Sequence, residues 1–257
     1  MTEQAKERSS YVMSSLDNAL KVMDILSVKD NLSLAELTRI SKLDKTSVFK
    51  ILYTLERRDY VFKTADARYR LGIKFSNYQA LASERQSLAE IAMPYMRQLR
   101  DQCHETVYLG LLNTNGRVIV MHMEEGNSPT SIATRIGYEL DAHCTAMGKV
   151  LLSWLDSAVQ HNIVDHFRFK KYTDNTICDP DTLYALLDSI KVQGWGEDRG
   201  ERYPGYSSLA VPVFDADVHC VASLSIVCRE DRMMQRRDCF LDMLLAAARD
   251  LSYKLGY

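Results

Sequence analysis

Polar and apolar positions between Leu32 and Leu71 set out two short helices and a hairpin. Ser33 and Glu36 have the spacing of a capping box, and Leu32 and Leu37 sit where a hydrophobic staple would close over it. That start predicts a helix over residues 34–40. The polar break Ser41-Lys42-Leu43-Asp44 ends it, and a second helical period begins. Val48, Ile51, Leu52 and Leu55 fall at i, i+3, i+4 and i+7 and share one face. At about 100° per residue, Thr46, Lys50, Tyr53 and Arg57 line the opposite face, with no acid among them. A capped helix, a tight turn and a second helix with a basic, hydroxyl-bearing outer stripe make a helix-turn-helix, whose second helix suits the major groove. Residues 60–63 and 68–71 then read as strands around the turn Thr64-Ala65-Asp66-Ala67, with Lys63, Arg68 and Arg70 as a basic wing. The competing reading is a helical pair and a hairpin packed for their own sake, with solvated charges.

Upstream, Ser15 caps a helix in which Leu16, Ala19, Leu20, Met23 and Leu26 share a face and would complete a three-helix core. Downstream, residues 73–86 contain no Pro or Gly and read as a linker helix. Ser87 and Glu90 repeat the capping-box spacing and open a helix to about Cys103, with Pro94 marking a kink or a later start. From Thr106 the period changes. Residues 106–112, 117–124 and 130–136 read as strands, with Asn113-Thr114-Asn115-Gly116 as a hairpin turn. Residues 145–155 and 179–193 read as helices, the latter with Asp179 as cap and Pro180 at its first position. Strands at 207–214 and 218–227 and a final helix over 233–255 complete the pattern. Strands mixed with helices at irregular intervals predict an α+β fold on a mainly antiparallel sheet. The expected domains are residues 1–72, a linker at 73–90 and a second domain at 91–257.

Composition changes this picture in four places. With 257 residues, 46% apolar and 26% charged, the chain has material for two packed domains. The net charge of -2 hides an asymmetry, because residues 1–72 carry 13 Lys and Arg against 10 Asp and Glu. The N-terminal part can thus approach a polyanion while the remainder stays acidic. Residues 1–10 lack the apolar core of a secretory signal, and no run of about 18 apolar residues occurs. A cytoplasmic protein with no membrane partner is expected. Cys103, Cys144, Cys178, Cys220, Cys228 and Cys239 are scattered without a C-x-x-C pair, which favours free thiols over a metal site or a disulfide frame. No metal and no cofactor are expected.

These residues resemble the IclR family of bacterial transcription regulators over nearly the whole chain. The N-terminal match is Ser15-Leu16-x-x-Ala19-Leu20, then Lys45-Thr46-Ser47-Val48 through Leu52-x-x-Leu55, then Tyr69-Arg70-Leu71-Gly72. The C-terminal match is more specific. It comprises Arg135-Ile136-Gly137, the run His143-Cys144-Thr145-Ala146-Met147-Gly148-Lys149-Val150-Leu151-Leu152, Glu201 and Gly205 before Leu209-Ala210-Val211-Pro212-Val213-Phe214-Asp215, and a serine-bearing strand over 222–227. The resemblance implies a winged helix-turn-helix DNA-binding domain, a linker helix and a GAF-like effector-binding domain, assembled as dimers and often as tetramers. Three departures stand out. Asp59 occupies a position where the family usually has glycine, Ala142 replaces a usual proline, and Cys228-Arg229-Glu230 replaces a common Gly-Pro.

Candidate chemistry centres on Thr145-Ala146-Met147-Gly148. Free backbone N–H groups at a helix start hold a carboxylate or phosphate, and Ala146 and Gly148 are small enough to admit one. The alternative is a capped helix packing through Gly148 against the sheet. Alternation puts Tyr206, Ser208 and Ala210 on one strand face, and Ser223, Ser225 and Val227 on one face of the other strand. Hydroxyls beside an anion-binding helix start suit a small hydroxy or keto acid. The resemblance places Ala146, Met147, Asp198, Tyr206, Ser208 and Ser225 at effector-contact positions. Asp198 and Glu201 lie in a charged loop and read as ligand contacts or solvated charges. His143 and Cys144 suggest a thiol nucleophile beside a histidine, but neighbours on an extended segment point apart.

The expected protein is a ligand-responsive regulator of a catabolic operon and not an enzyme. Its partners would be double-stranded operator DNA, a small carboxylate (a sugar acid or keto acid), and further copies of itself as a homodimer or dimer of dimers. Thr46, Ser47, Lys50, Tyr53 and Arg57 would enter the major groove, with Lys63, Arg68 and Arg70 at phosphates or in the minor groove. The rival is an enzyme using Cys144 on a small acid, with an N-terminal protein-interaction module.

Overall fold

The computed structural model describes residues 12–76, 88–127 and 134–257. The chain forms two compact units, Met1–Arg85 and Gln86–Tyr257. Among the described residues no helix is long and apolar enough to cross a membrane.

In the first unit, helices α1 (Ser14–Val28), α2 (Leu34–Ser41) and α3 (Lys45–Glu56) surround a core completed by a small sheet. Its strands, β1 (Leu32–Ser33), β2 (Val61–Lys63) and β3 (Arg68–Leu71), lie in the order β1-β3-β2. The capping box is present: the Glu36 N–H donates to the Ser33 hydroxyl, and the Ser33 N–H donates to the Glu36 carboxylate at 2.8 Å. Lys42, in a left-handed conformation at φ 59°, terminates α2. Asp44 caps α3 by accepting from the Ser47 N–H at 2.9 Å. Val22, Leu26, Leu37, Val48, Leu52, Val61 and Tyr69 form the core, each large aliphatic side chain contributing about 1.5–3 kcal/mol on burial.

The inner face of α1 differs from the expected one. Val22 and Leu26 are buried, while Leu16 and Leu20 stay exposed, because the helix packs through its C-terminal half. Asp59 adopts φ 61°, the left-handed backbone that a glycine takes without strain, so the chain enters the wing along the path expected of glycine. Gly72 is required opposite it, since a Cβ there would lie 2.1 Å from the Asp59 carbonyl oxygen.

The second unit is built on a six-stranded antiparallel sheet with helices on both faces. It comprises α4 (Leu88–Cys103), β4 (Thr106–Leu112), β5 (Arg117–Glu124), β6 (Glu139–Asp141), α5 (Ala146–Ser153), α6 (Ser157–Val164), α7 (Pro180–Gln193), β7 (Gly196–Arg199), β8 (Tyr206–Phe214), β9 (Cys220–Arg229) and α8 (Glu230–Lys254). The strand order is β6-β5-β4-β9-β8-β7. Strand alternation divides the core in two. Val107, Leu109, Leu209, Val211, Leu224 and Ile226 pack against α4 and α8. Tyr108 and Ala210 face the other way, toward α5, α7 and their buried Val150, Leu152, Leu183 and Leu187.

Several boundaries shift from those the sequence predicts. The expected strand at 130–136 is absent where it is described: Thr134 and Arg135 are irregular, Ile136 and Gly137 form a turn, and the strand is Glu139–Asp141. Residues 130–133 of that expectation lie outside the described residues. So do residues 77–87 of the expected linker helix, including the Ser87 cap; residues 74–76 are helical. Pro94 lies inside α4. The last strand starts at Cys220 because Val218 is left-handed at φ 63°, in a turn where the Asp215 carboxylate accepts from the Asp217 and His219 N–H groups. Strands β1 and β7, helix α6 and the 3-10 turn Ala142–Cys144 are not among the expected elements.

Candidate functional site

On the first unit, α3 holds its outer stripe in solvent. Thr46, Lys50, Tyr53 and Arg57 are exposed, and Ser47 is half-buried beside its cap. Phe49 lies in the same stripe, half exposed and stacked on Tyr53 with ring centroids 6.4 Å apart. The stripe was read for charge, so Phe49 was missed, although its spacing from Thr46 and Tyr53 was the available signal. On the wing, Lys63 is exposed and Arg70 holds Asp30 at 3.1 Å across open surface, a pair worth about 0–1 kcal/mol. Arg68 is engaged within the unit. Its Nε donates to the Asn31 carbonyl at 2.8 Å, and its Nη2 to Glu36 at 2.9 Å, the carboxylate that closes the capping box. Arg68 thus ties β3 to the start of α2.

On the second unit, a cavity of about 40 Å³ lies between the start of α5 and the sheet. Register alone assembles its floor. Tyr108 pairs with Ser225, which pairs on its other side with Ala210, while Val227 pairs with Ser208 and Ser208 with Asp198. The roof is Thr145, Ala146 and Met147, and all six residues that the sequence placed at effector positions line this one space. Arg202, Tyr203 and Leu140 help to close it. Thr145 caps α5 by accepting from the Gly148 N–H at 3.2 Å. The N–H groups of Ala146 and Met147 belong to the first turn, where no intrahelical acceptor exists. Gly148 does not line this cavity. A Cβ there would lie 2.3 Å from the Ala142 backbone, so its smallness lets α5 pack onto the preceding turn. Ser223 shares the sheet face of Ser225, but its hydroxyl is buried and donates to the Val211 carbonyl at 3.1 Å.

Asp198 and Glu201 are neither solvated nor a loop pair. Asp198 is on β7, whose register with β8 turns it inward, and both residues are buried. Glu201 pairs with Lys149, which is fully buried. The Glu201 N–H donates to Asp198 Oδ1 at 2.7 Å, and the Ser208 hydroxyl donates to Oδ2 at 3.4 Å. Burial pushes the Asp198 carboxyl up to about 7, with Lys149 pulling it down and Glu201 pushing it up. Near neutrality it can therefore donate as well as accept a hydrogen bond.

Arg202 escaped the sequence reading. Its guanidinium carbon stands 3.7 Å from the Tyr172 ring centroid and its Nη1 3.6 Å from Asp141. Arg117 and the Tyr172 hydroxyl also engage Asp141, and they hold its carboxyl below the usual range despite burial. Arg202 Nε and Nη1 are buried without a hydrogen-bond partner, as is the Ser225 hydroxyl. Spacing did not separate Arg202 from Arg199, which is exposed and pairs with Glu197. Burial separates them.

The enzymatic reading loses its nucleophile. His143 and Cys144 occupy a 3-10 turn rather than an extended segment. Burial pushes the Cys144 thiol up to about 12, and it donates to the Asp141 carbonyl at 3.5 Å. Burial also holds the His143 ring below its ordinary value, and its Nε2 sits 3.2 Å from the Lys170 carbonyl. Among the described residues no cluster of His, Cys, Asp and Glu could hold a metal ion.

Residues 15–64 match the IclR helix-turn-helix domain, and residues 80–253 match the bacterial transcriptional regulator IclR C-terminal domain. The chain is similar to the HTH-type transcriptional regulator KdgR of Escherichia coli, 31% identical over 95% of this chain and 94% of the relative. It is also similar to the Pca regulon regulatory protein of Pseudomonas putida, 29% identical over 95% of this chain and 84% of that one. Its fold resembles the crystal structure of the Thermotoga maritima IclR, with a TM-score of 0.73 at 26% identity, covering 96% of this chain and all of the other.

Proposed function

Because the chain belongs to the IclR family of bacterial transcriptional regulators, and so is a regulator rather than an enzyme, we propose that it binds operator DNA through α3 and responds to a small carboxylic acid in the cavity beneath α5. On this reading Thr46, Lys50, Tyr53 and Arg57 enter the major groove, Ser47 lies at the groove edge, and Phe49 packs on thymine methyl groups. Lys63 and Arg70 reach phosphates, and Arg68 braces the wing from within. The exposed apolar side chains Leu16 and Leu20 on α1, with Met13 just before it, support a homodimer, since a second copy would bury them and bring a second α3 to a symmetric site.

The observation that carries the effector reading is the unpartnered Ser225 hydroxyl facing a helix start across one cavity. A carboxylate there would meet the Ala146 and Met147 N–H groups with the helix dipole behind them. Ser208, Ser225 and Asp198 would then read a hydroxyl or keto group, which points to a hydroxy or keto acid. Fluorescence anisotropy of the full chain on DNA upstream of its own gene tests both halves. If a dimer neutralises about six phosphates, log K should fall against log salt with a slope near -5. One member of a panel of sugar, keto and aromatic acids should shift the binding curve. A flat salt dependence removes the DNA half, and a panel without effect on DNA affinity or thermal stability removes the effector half.

A further inference from the structure

We propose that the cavity holds both anionic ends of one ligand, one at the start of α5 and the other at the Arg202 guanidinium, so that the effector is a short dicarboxylate. This rests on the cavity being the effector site and narrows what the site would take. The polar groups in and beside the cavity give the reason. Lys149 is matched by Glu201. Asp141 is the one carboxylate within ion-pair reach of Arg202 among the described residues, at 3.6 Å, and it is already engaged by Arg117 and Tyr172. Arg117 is itself matched by Glu139 at 2.9 Å, so what sets Arg202 apart is not surplus charge but in-plane donors that Asp141 does not fill.

The Arg202 side chain is 11% exposed, and its Nε and Nη1 lack hydrogen-bond partners. The stacking on Tyr172 orients the guanidinium plane but meets none of those in-plane donors. A buried cation with open donors is costly until an anion arrives, and a guanidinium is shaped to take a carboxylate with two of them. Asp198, also lining the cavity, would oppose a second anion if ionised. Held largely protonated below neutral pH, it donates to the ligand instead. A monocarboxylate would satisfy either the α5 start or Arg202 and leave the other unmet. The cavity is small, which favours a short connecting chain, and Ser225 stands ready for a hydroxyl or keto group on it.

The test is calorimetric titration of the full chain with malonate, succinate, malate and 2-oxoglutarate, with butyrate and pyruvate as monocarboxylates, and with the monomethyl ester of the tightest diacid. The diacid should bind about 10- to 100-fold more tightly than its half-ester, the worth of one charge-assisted pair. Arg202→Gln should abolish that advantage, costing the diacid at least about tenfold more affinity than it costs the monocarboxylates, while Arg202→Lys keeps part of it. The half-ester comparison needs no variant, so it stands even if Arg202→Gln fails to fold. A half-ester as tight as the diacid, or an Arg202→Gln loss equal for both ligand classes, overturns the dicarboxylate inference alone. If no acid of either class saturates the protein, the effector reading falls and takes this inference with it.

Discussion

Replacing Asp198 by asparagine isolates one buried proton. The substitution keeps the shape and both contacts, since an amide oxygen can accept from the Glu201 N–H and the amide nitrogen can donate to Ser208. Native Asp198 titrates at about 7 instead of 3.8. The raised value fixes the sign. Between pH 4 and 7 the native state holds a proton that the unfolded chain has released, so this group's contribution to stability falls as pH rises and levels off above 7. From pH 5 to 8, at about 1.36 kcal/mol per unit over the part below 7, the wild type should lose about 3 kcal/mol relative to the variant. Glu201, which burial also raises, is present in both proteins and largely cancels in the difference. Urea denaturation at pH 5 and pH 8 measures it, followed by tryptophan fluorescence. Both tryptophans, Trp154 and Trp195, lie in the C-terminal unit, so the signal reports the unit that holds Asp198. Equal stability differences at the two pH values would refute the assignment of a buried, protonated Asp198.

Four further outcomes are expected. Lys50→Ala and Arg57→Ala should each weaken operator binding by about 1–3 kcal/mol where a base is read, or lower the salt slope by about one where a phosphate is met. Arg68→Ala should reduce N-terminal stability by about 1 kcal/mol and weaken DNA of every sequence alike, which urea melts and anisotropy will distinguish from the loss of a base contact. Asp59→Gly should stabilise the same unit by about 0.5–1 kcal/mol in chemical denaturation, by relieving the left-handed backbone. Native protein at pH 8 should alkylate at the exposed Cys178 and Cys239 but not at Cys144, by mass spectrometry, and Cys144→Ser should retain DNA binding.

What the sequence made legible was what local rules govern. Ser33 and Glu36, and Asp179 with Pro180, mark helix starts because the orphan N–H groups demand such residues. Period-two alternation put Ser208 and Ser225 on one face with no knowledge of their partners. What failed depended on tertiary context. Strand β7 is a short edge strand, and Glu197 and Arg199 made it look like a charged loop. Val218 has strand propensity but sits in a left-handed turn set by Asp215. The face of α1 was misassigned because Leu16 and Leu20 are as apolar as the buried Val22 and Leu26. Arg202 was invisible because its importance lies in the partners it lacks.

Strands β4 and β9 are central to the sheet, and each residue on them looks one way or the other. Tyr108 and Ser225 look into the cavity, while Val107, Leu109, Leu224 and Ile226 grip α4 and α8. The two faces are a single pleated wall, so a strand cannot tilt to admit a ligand on one side without dragging the helices on the other. The chain enters this unit through α4. Arg97 and Arg100 bolt that helix to Glu124 on β5, at 3.1 and 3.4 Å. If the cavity takes the proposed ligand, α4 would feel it through this wall, with no wire of contacts needed. The back of the wall would carry what its front had received.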